Sequence, residues 1–62
     1  MLRVNISRIS LEFEQSDKVL LNEILRKYEP VKRGDRVLVH GTPETLYKLL
    51  YEVSLVYDIE LI

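Results

Sequence analysis

The segment that most constrains this chain is residues 43–57, because it reads as a helix with too much apolar surface for one side of a small domain. On a helical projection its apolar side chains cover an arc of roughly 220°, whereas an ordinary surface helix shows about 100°. The main face and its flank consist of Leu46, Leu49, Leu50, Val53, Val56, Tyr57, Tyr47 and Tyr51. A helix of this kind needs cover on two sides.

The size of the chain limits what can supply that cover. Sixty-two residues predict one domain, residues 1–62. A domain this small buries only about 60% of its unfolded surface, so disulfides, metals or association commonly stabilise it. The chain has no cysteine and one histidine, which excludes disulfides, cysteine zinc sites and multi-histidine metal sites. We therefore expect self-association, no metal and no cofactor.

The first part of the chain alternates apolar and polar residues, as strands do. The alternation over residues 2–6 has the opposite parity to that over residues 9–13. A strand changes face only at a bulge or a break. A hairpin would need turn residues at positions 7–8, and Ser7-Arg8 supplies neither glycine nor asparagine. We therefore expect one long bulged strand over residues 2–13.

The following segment, residues 17–28, has the spacing of an ordinary amphipathic helix. Ser16 or Asp17 is expected to cap its first turn, since a short side-chain oxygen accepts a free helical N–H. Pro30 ends the helix, because the residue before proline avoids helical backbone angles.

The second half of the chain predicts two more strands around the apolar helix. A turn containing Gly34 leads into residues 36–40, which are apolar on both faces like a central parallel strand. Residues 59–62 form the last strand. The order β-α-β-α-β predicts a two-layer α/β domain with a three-stranded, mainly parallel sheet. Right-handed crossovers would place both helices on one face, leaving the other face to be covered.

Residues 34–41, GDRVLVHG, resemble the first Rossmann strand of quinone-reductase-type dehydrogenases. In that family a glycine-rich turn follows and lets the backbone approach a pyrophosphate. Here residues 42–45, TPET, stand in its place. The resemblance therefore implies a buried strand leading into a helix and no dinucleotide site.

Three groups of residues are candidate sites. Tyr47, Tyr51 and Leu55 lie beyond the main apolar face of the predicted helix, where tyrosines are typical of protein interfaces. The basic turn at residues 32–36 is the second candidate, for binding phosphates of nucleic acid. Its cations are Lys32, Arg33 and Arg36. A net charge of −1 and the lack of interleaved aromatic residues argue against that alternative.

The third candidate is the strand-to-helix turn at residues 40–44, where a small anion would dock. His40 titrates near neutrality and Thr42 offers a hydroxyl. Thr42 is also the expected cap of the helix, Pro43 has no N–H, and Glu44 repels anions. Asp35 and Asp58 are possible partners to orient His40 as a catalytic base, but the sequence places neither beside it, so we assign no catalytic residue.

These observations predict a small non-enzymatic homo-oligomeric interaction module, alone or within a larger protein assembly. The nucleic-acid and anion-binding readings remain as alternatives. The chain has no apolar run long enough for a membrane span. The absence of cysteine and of a signal-peptide pattern favours a cytoplasmic protein. Charged residues make up 31% of the chain, which leans towards a thermophilic source.

Overall fold

The computed structural model describes residues 1–15 and 17–62. Five strands and two helices are present in the described residues. They are β1 (Leu2–Ile6), β2 (Ser10–Phe13), α1 (Val19–Leu25), β3 (Val31–Arg33), β4 (Arg36–His40), α2 (Pro43–Ser54) and β5 (Ile59–Leu61). A 3₁₀ turn, Arg26–Tyr28, continues α1.

The strands form one five-stranded mixed sheet in the order β3-β4-β2-β1-β5. Only β1 and β5 are parallel, and the other three neighbouring pairs are antiparallel. The predicted three-stranded, mainly parallel sheet is therefore wrong. Two tight hairpins, which the sequence patterns did not reveal, make sequential strands antiparallel. β4 lies between two antiparallel neighbours, so the local resemblance to a Rossmann strand does not extend to the sheet.

The first hairpin explains the change of parity that we interpreted as a bulge. Val4 lies opposite Phe13, and Ile6 lies opposite Leu11. The residues that face the core therefore have even numbers on β1 and odd numbers on β2. The Ser7 N–H closes the loop by donating to the Ser10 carbonyl oxygen at 2.9 Å. The two hydroxyls lie 2.8 Å apart. Local side-chain hydrogen bonding by serine thus replaces the glycine or asparagine that we expected in a turn.

The second hairpin joins β3 and β4 through Gly34 and Asp35, with Arg33 opposite Arg36. Gly34 has φ 61°, which fits two-residue loops that begin with glycine. The expected turn is therefore present, but β3 before it was missed. Its Val31-Lys32-Arg33 sequence shows no alternating apolar pattern.

The helix ends follow local rules in α2 and depart from them in α1. The Thr42 Oγ1 accepts a hydrogen bond from the Thr45 N–H at 3.3 Å, and Pro43 is the first helical residue, as predicted. α2 ends at Ser54, three residues before the predicted end at residue 57, because residues 55–57 turn the chain towards β5. α1 begins at Val19, after Lys18, whose side chain makes no capping hydrogen bond.

The expected cap at Ser16 lies outside the described residues. Asp17 lies two residues before α1, outside the Ncap position that Lys18 occupies. At the other end, Glu29 has φ 54° and ends the 3₁₀ turn directly before Pro30. The predicted helix over residues 17–28 is therefore shorter in the structure and tightens in its last turn.

Both helices cover the same face of the sheet and share one core with it. The sheet contributes Leu2, Val4, Leu11, Phe13, Val37 and Val39, and the helices contribute Leu21, Leu25, Leu46, Leu49 and Val53. Each of these side chains is at most 1% exposed. α2 is thus buried along one face, whereas its flank remains accessible to a further partner.

The opposite face of the sheet carries a row of charges across the strands. Arg3 on β1 lies 3.7 Å from both Glu14 and Glu60. Arg36 on β4 lies 3.6 Å from Glu12 and 3.9 Å from Glu14. Solvated ion pairs contribute little to stability individually. The charged side chains nevertheless keep this face hydrated. It therefore does not need the apolar partner that we expected to cover it.

Candidate interaction surface

The tyrosine pair on α2 lies beside two apolar grooves. The α2–β1 groove has a volume of about 400 Å³ and is lined by Ile6, Ser7, Arg8, Pro43, Leu46 and Tyr47. The α2–β5 groove has a volume of about 370 Å³ and is lined by Tyr47, Leu50, Tyr51, Ser54, Ile59 and Leu61. Tyr47 borders both grooves and therefore stands at the centre of this surface.

Local sequence determines why the tyrosines face outwards. Leu46, Leu49 and Val53 are buried and fix the rotation of α2 on the sheet. Tyr47 and Tyr51 then project from the flank, one helical turn apart, and each is 65% exposed. Neither hydroxyl makes a hydrogen bond within the described residues.

Leu61 is the third exposed apolar side chain of this surface, and the sequence analysis did not single it out. It is 56% exposed and lines the α2–β5 groove with Ile59, two positions earlier on the same side of β5. The alternation of apolar and charged residues over positions 59–61 was the sequence signal that could have indicated it. Its significance depends on β5 being an edge strand, which only the sheet order shows.

Leu55, the third interface residue predicted from the sequence, is also exposed, at 68%. It is the C-cap residue of α2 and lines neither groove. The structure therefore brings Tyr47 and Tyr51 together with Leu61 rather than with Leu55. We define the α2–β5 surface as Tyr47, Tyr51, Leu61 and the α2–β5 groove.

The three basic residues of the β3–β4 hairpin do not form one cluster. Lys32 lies opposite Val37, on the helix-covered side of the sheet, whereas Arg33 and Arg36 share the charged face. Arg36 is paired with Glu12 and Glu14. Carboxylates beside the arginine disfavour the approach of phosphate groups, so this geometry gives the nucleic-acid alternative no support.

His40 and Thr42 are also separated by the fold. His40 is exposed at the end of β4 and lies opposite Ser10 on the charged face. Thr42 caps α2, and its hydroxyl also donates to the Thr45 hydroxyl at 3.0 Å. The hydroxyl that we considered for an anion is thus engaged within the helix start.

One polar cluster joins the helices. The Tyr28 hydroxyl donates to Glu52 Oε2 at 2.5 Å, and Lys27 Nζ lies 3.1 Å from Glu52 Oε1. The hydrogen bond to the carboxylate, with partial burial, raises the pKa of Tyr28 to about 12. The bonds from Tyr28 and then Lys27 lower the pKa of Glu52. This cluster holds the end of α1 against α2.

Within residues 1–15 and 17–62, no group of three or more histidine, cysteine, aspartate or glutamate side chains is placed to hold a metal ion. In the same residues, no helix combines the length and apolar character that crossing a membrane requires. Comparisons with known protein families, with characterised proteins and with solved structures found no match. The α2–β5 surface is the candidate site because exposed aromatic and apolar side chains surround one groove there.

Proposed function

We propose that this protein is a non-enzymatic interaction module that associates with itself through the α2–β5 surface. The observation that carries the proposal is the exposure of Tyr47, Tyr51 and Leu61 around one apolar groove. Contiguous apolar surface with aromatic side chains is characteristic of interaction sites. The opposite face of the sheet is charged and gives no comparable site.

The chemistry of tyrosine supports a protein partner rather than a small ligand. Its ring contributes apolar contact area at a low cost in conformational entropy, and its hydroxyl can donate a hydrogen bond across an interface. The two grooves are open, whereas small-molecule sites usually enclose most of their ligand. An open, aromatic surface of this kind suits contact with another folded surface.

The experiment compares the solution mass of the native chain with that of the Tyr47→Ser/Tyr51→Ser variant. Light scattering from about 1 µM to about 100 µM covers dissociation constants in the micromolar range. We expect the native chain to form dimers or larger assemblies and the variant to shift towards monomer. Its helical content, followed by circular dichroism, should remain because both tyrosines are exposed.

The matched control is the Val19→Ser/Val31→Ser variant. It removes two exposed apolar side chains, which are 71% and 46% accessible and line neither groove. We expect this variant to associate like the native chain. Equal association of the tyrosine variant and the native chain, or a native chain that stays monomeric throughout, would refute the proposal.

A further inference from the structure

β5 is one of the two edge strands of the sheet and presents backbone groups that no strand of the same chain satisfies. The Leu2 N–H donates to the Asp58 carbonyl oxygen at 2.8 Å, and the Ile62 N–H donates to the Val4 carbonyl oxygen at 2.9 Å. The backbone N–H and C=O groups of successive strand residues point in opposite directions. Those of the even-numbered residues 58, 60 and 62 therefore point towards β1. The N–H and C=O groups of Ile59 and Leu61 therefore point away from the sheet.

Resting on the proposed self-association, we infer that two copies join by antiparallel pairing of β5 with β5, with Glu60 on the two-fold axis. In this register Ile59 of each copy lies opposite Leu61 of the other. Both residues have outward backbone groups, so the pair forms hydrogen bonds in both directions. The symmetric seam contains four backbone hydrogen bonds and continues the sheet from five strands to ten.

The apolar side chains agree with this register, whereas the two Glu60 carboxylates, opposite each other on the solvated charged face, oppose it weakly. Ile59 and Leu61 lie on the helix-covered side and line the α2–β5 groove. Cross-strand partners share a face, so Leu61 of the second copy would lie beside Ile59 at the open side of this groove. A groove volume of about 370 Å³ leaves room for a leucine side chain. Tyr47 and Tyr51 then border the seam.

The other edge of the sheet is less suited to pairing. Arg33 and Arg36 flank the two-residue loop and form a hydrogen-bonded pair. Because hydrogen-bonded and non-hydrogen-bonded pairs alternate along antiparallel strands, Lys32 is the one residue of β3 whose N–H and C=O groups point away from β4. Lysine at an edge is also a common device against strand addition. β5 offers two outward residues and has one charge, Glu60, which lies 3.7 Å from Arg3.

The register predicts a specific covalent cross-link. Two Glu60 side chains on the axis would form a non-hydrogen-bonded pair, whose Cβ atoms lie about 5 Å apart. This spacing is close to that of disulfides, about 4 Å. Because the chain has no cysteine, Glu60→Cys introduces a single thiol. Mild oxidation should convert this variant to a disulfide-linked dimer.

Glu23→Cys is the matched control, because it makes the same charge change at an exposed position of α1, outside both grooves. It should remain mostly unlinked under the same conditions. A second comparison uses Leu61→Pro and Leu61→Ala. Proline removes an outward N–H that the monomer does not use, so two of the four seam bonds are lost. Dimerisation should be about thirtyfold weaker than in the alanine variant.

The results separate this inference from the proposed function. Cross-linking of Glu60→Cys but not Glu23→Cys, with the expected difference at Leu61, supports the edge pairing. If the native chain associates and the tyrosine variant does not, but Glu60→Cys fails to cross-link, the edge pairing is wrong and the proposed function stands. A native chain that stays monomeric overturns both.

Discussion

The Tyr28 hydroxyl donates a hydrogen bond of 2.5 Å to the Glu52 carboxylate, which joins two residues 24 positions apart. Tyr28 closes the 3₁₀ turn after α1, and Glu52 lies in the last turns of α2. Lys27 binds the other carboxylate oxygen. The helices thus have a polar clamp at the rim of their apolar contact, and its ionisation is linked to folding.

Tyr28→Phe should lower the free energy of unfolding by about 1 kcal/mol, because it removes one hydrogen bond to a charged, partly solvated acceptor. Urea denaturation at neutral pH measures this change. Tyr57→Phe is the control, since its hydroxyl makes no hydrogen bond among the described residues and its ring lines neither groove, so its loss should leave stability unchanged. Equal effects of the two variants would show that the clamp contributes nothing specific.

Stability should fall at alkaline pH through Tyr28. Its pKa is raised from 10.0 to about 12 on folding. A group with a raised pKa holds its proton more tightly when folded, so its contribution is complete below pH 10 and is lost as the pH rises towards about 12. Denaturation of the native chain and of Tyr28→Phe across this window measures the effect. The variant should lose less stability over the same range.

Stability should also fall at acidic pH through Glu52. Its pKa is lowered from 4.5 by the hydrogen bonds from Tyr28 and Lys27. A lowered pKa stabilises the folded state above pH 4.5 and loses that contribution as the pH falls through the folded pKa. In the Glu52→Gln variant, the free energy of unfolding should depend less on pH below pH 4.5. An identical slope in the native chain and the variant would contradict the linkage.

Gly34→Ala should destabilise the protein by about 1 kcal/mol, because a side chain at positive φ is strained. The space itself is open, since no heavy atom outside residues 33–35 lies within 4 Å of the added Cβ. Gly41→Ala is the control: its Cβ would meet Thr45 Cγ2 at 3.6 Å, an ordinary contact. Thermal denaturation should separate the two. A loss at Gly41 as large as that at Gly34 would argue against backbone strain as the cause.

Thr42→Ala should destabilise the protein by about 1 kcal/mol through loss of the α2 cap. Thr42→Ser keeps the hydroxyl that accepts from the Thr45 N–H and should stay close to the native value. Chemical denaturation of both variants tests this difference. If serine costs as much as alanine, the methyl group rather than the cap bond is responsible.

The sequence alone determined features that depend on neighbouring residues. Thr42 and Pro43 mark the start of α2, Gly34 marks a turn, and residues 36–40 form a strand as predicted. The exposure of Tyr47 and Tyr51 also follows from helical periodicity, because burial of the main face turns the flank outwards. These features follow from backbone preferences and side-chain spacing within a few residues.

Only the tertiary structure decided which strands pair, and in which direction. Every residue except proline offers the same backbone N–H and C=O groups, so apolar alternation reports the face of a strand but not its neighbour. The first hairpin, the edge position of β5 and the ion pairs of Arg36 all depend on that choice. Leu61 became part of the candidate surface for the same reason: its neighbours lie close in space but far apart in the sequence.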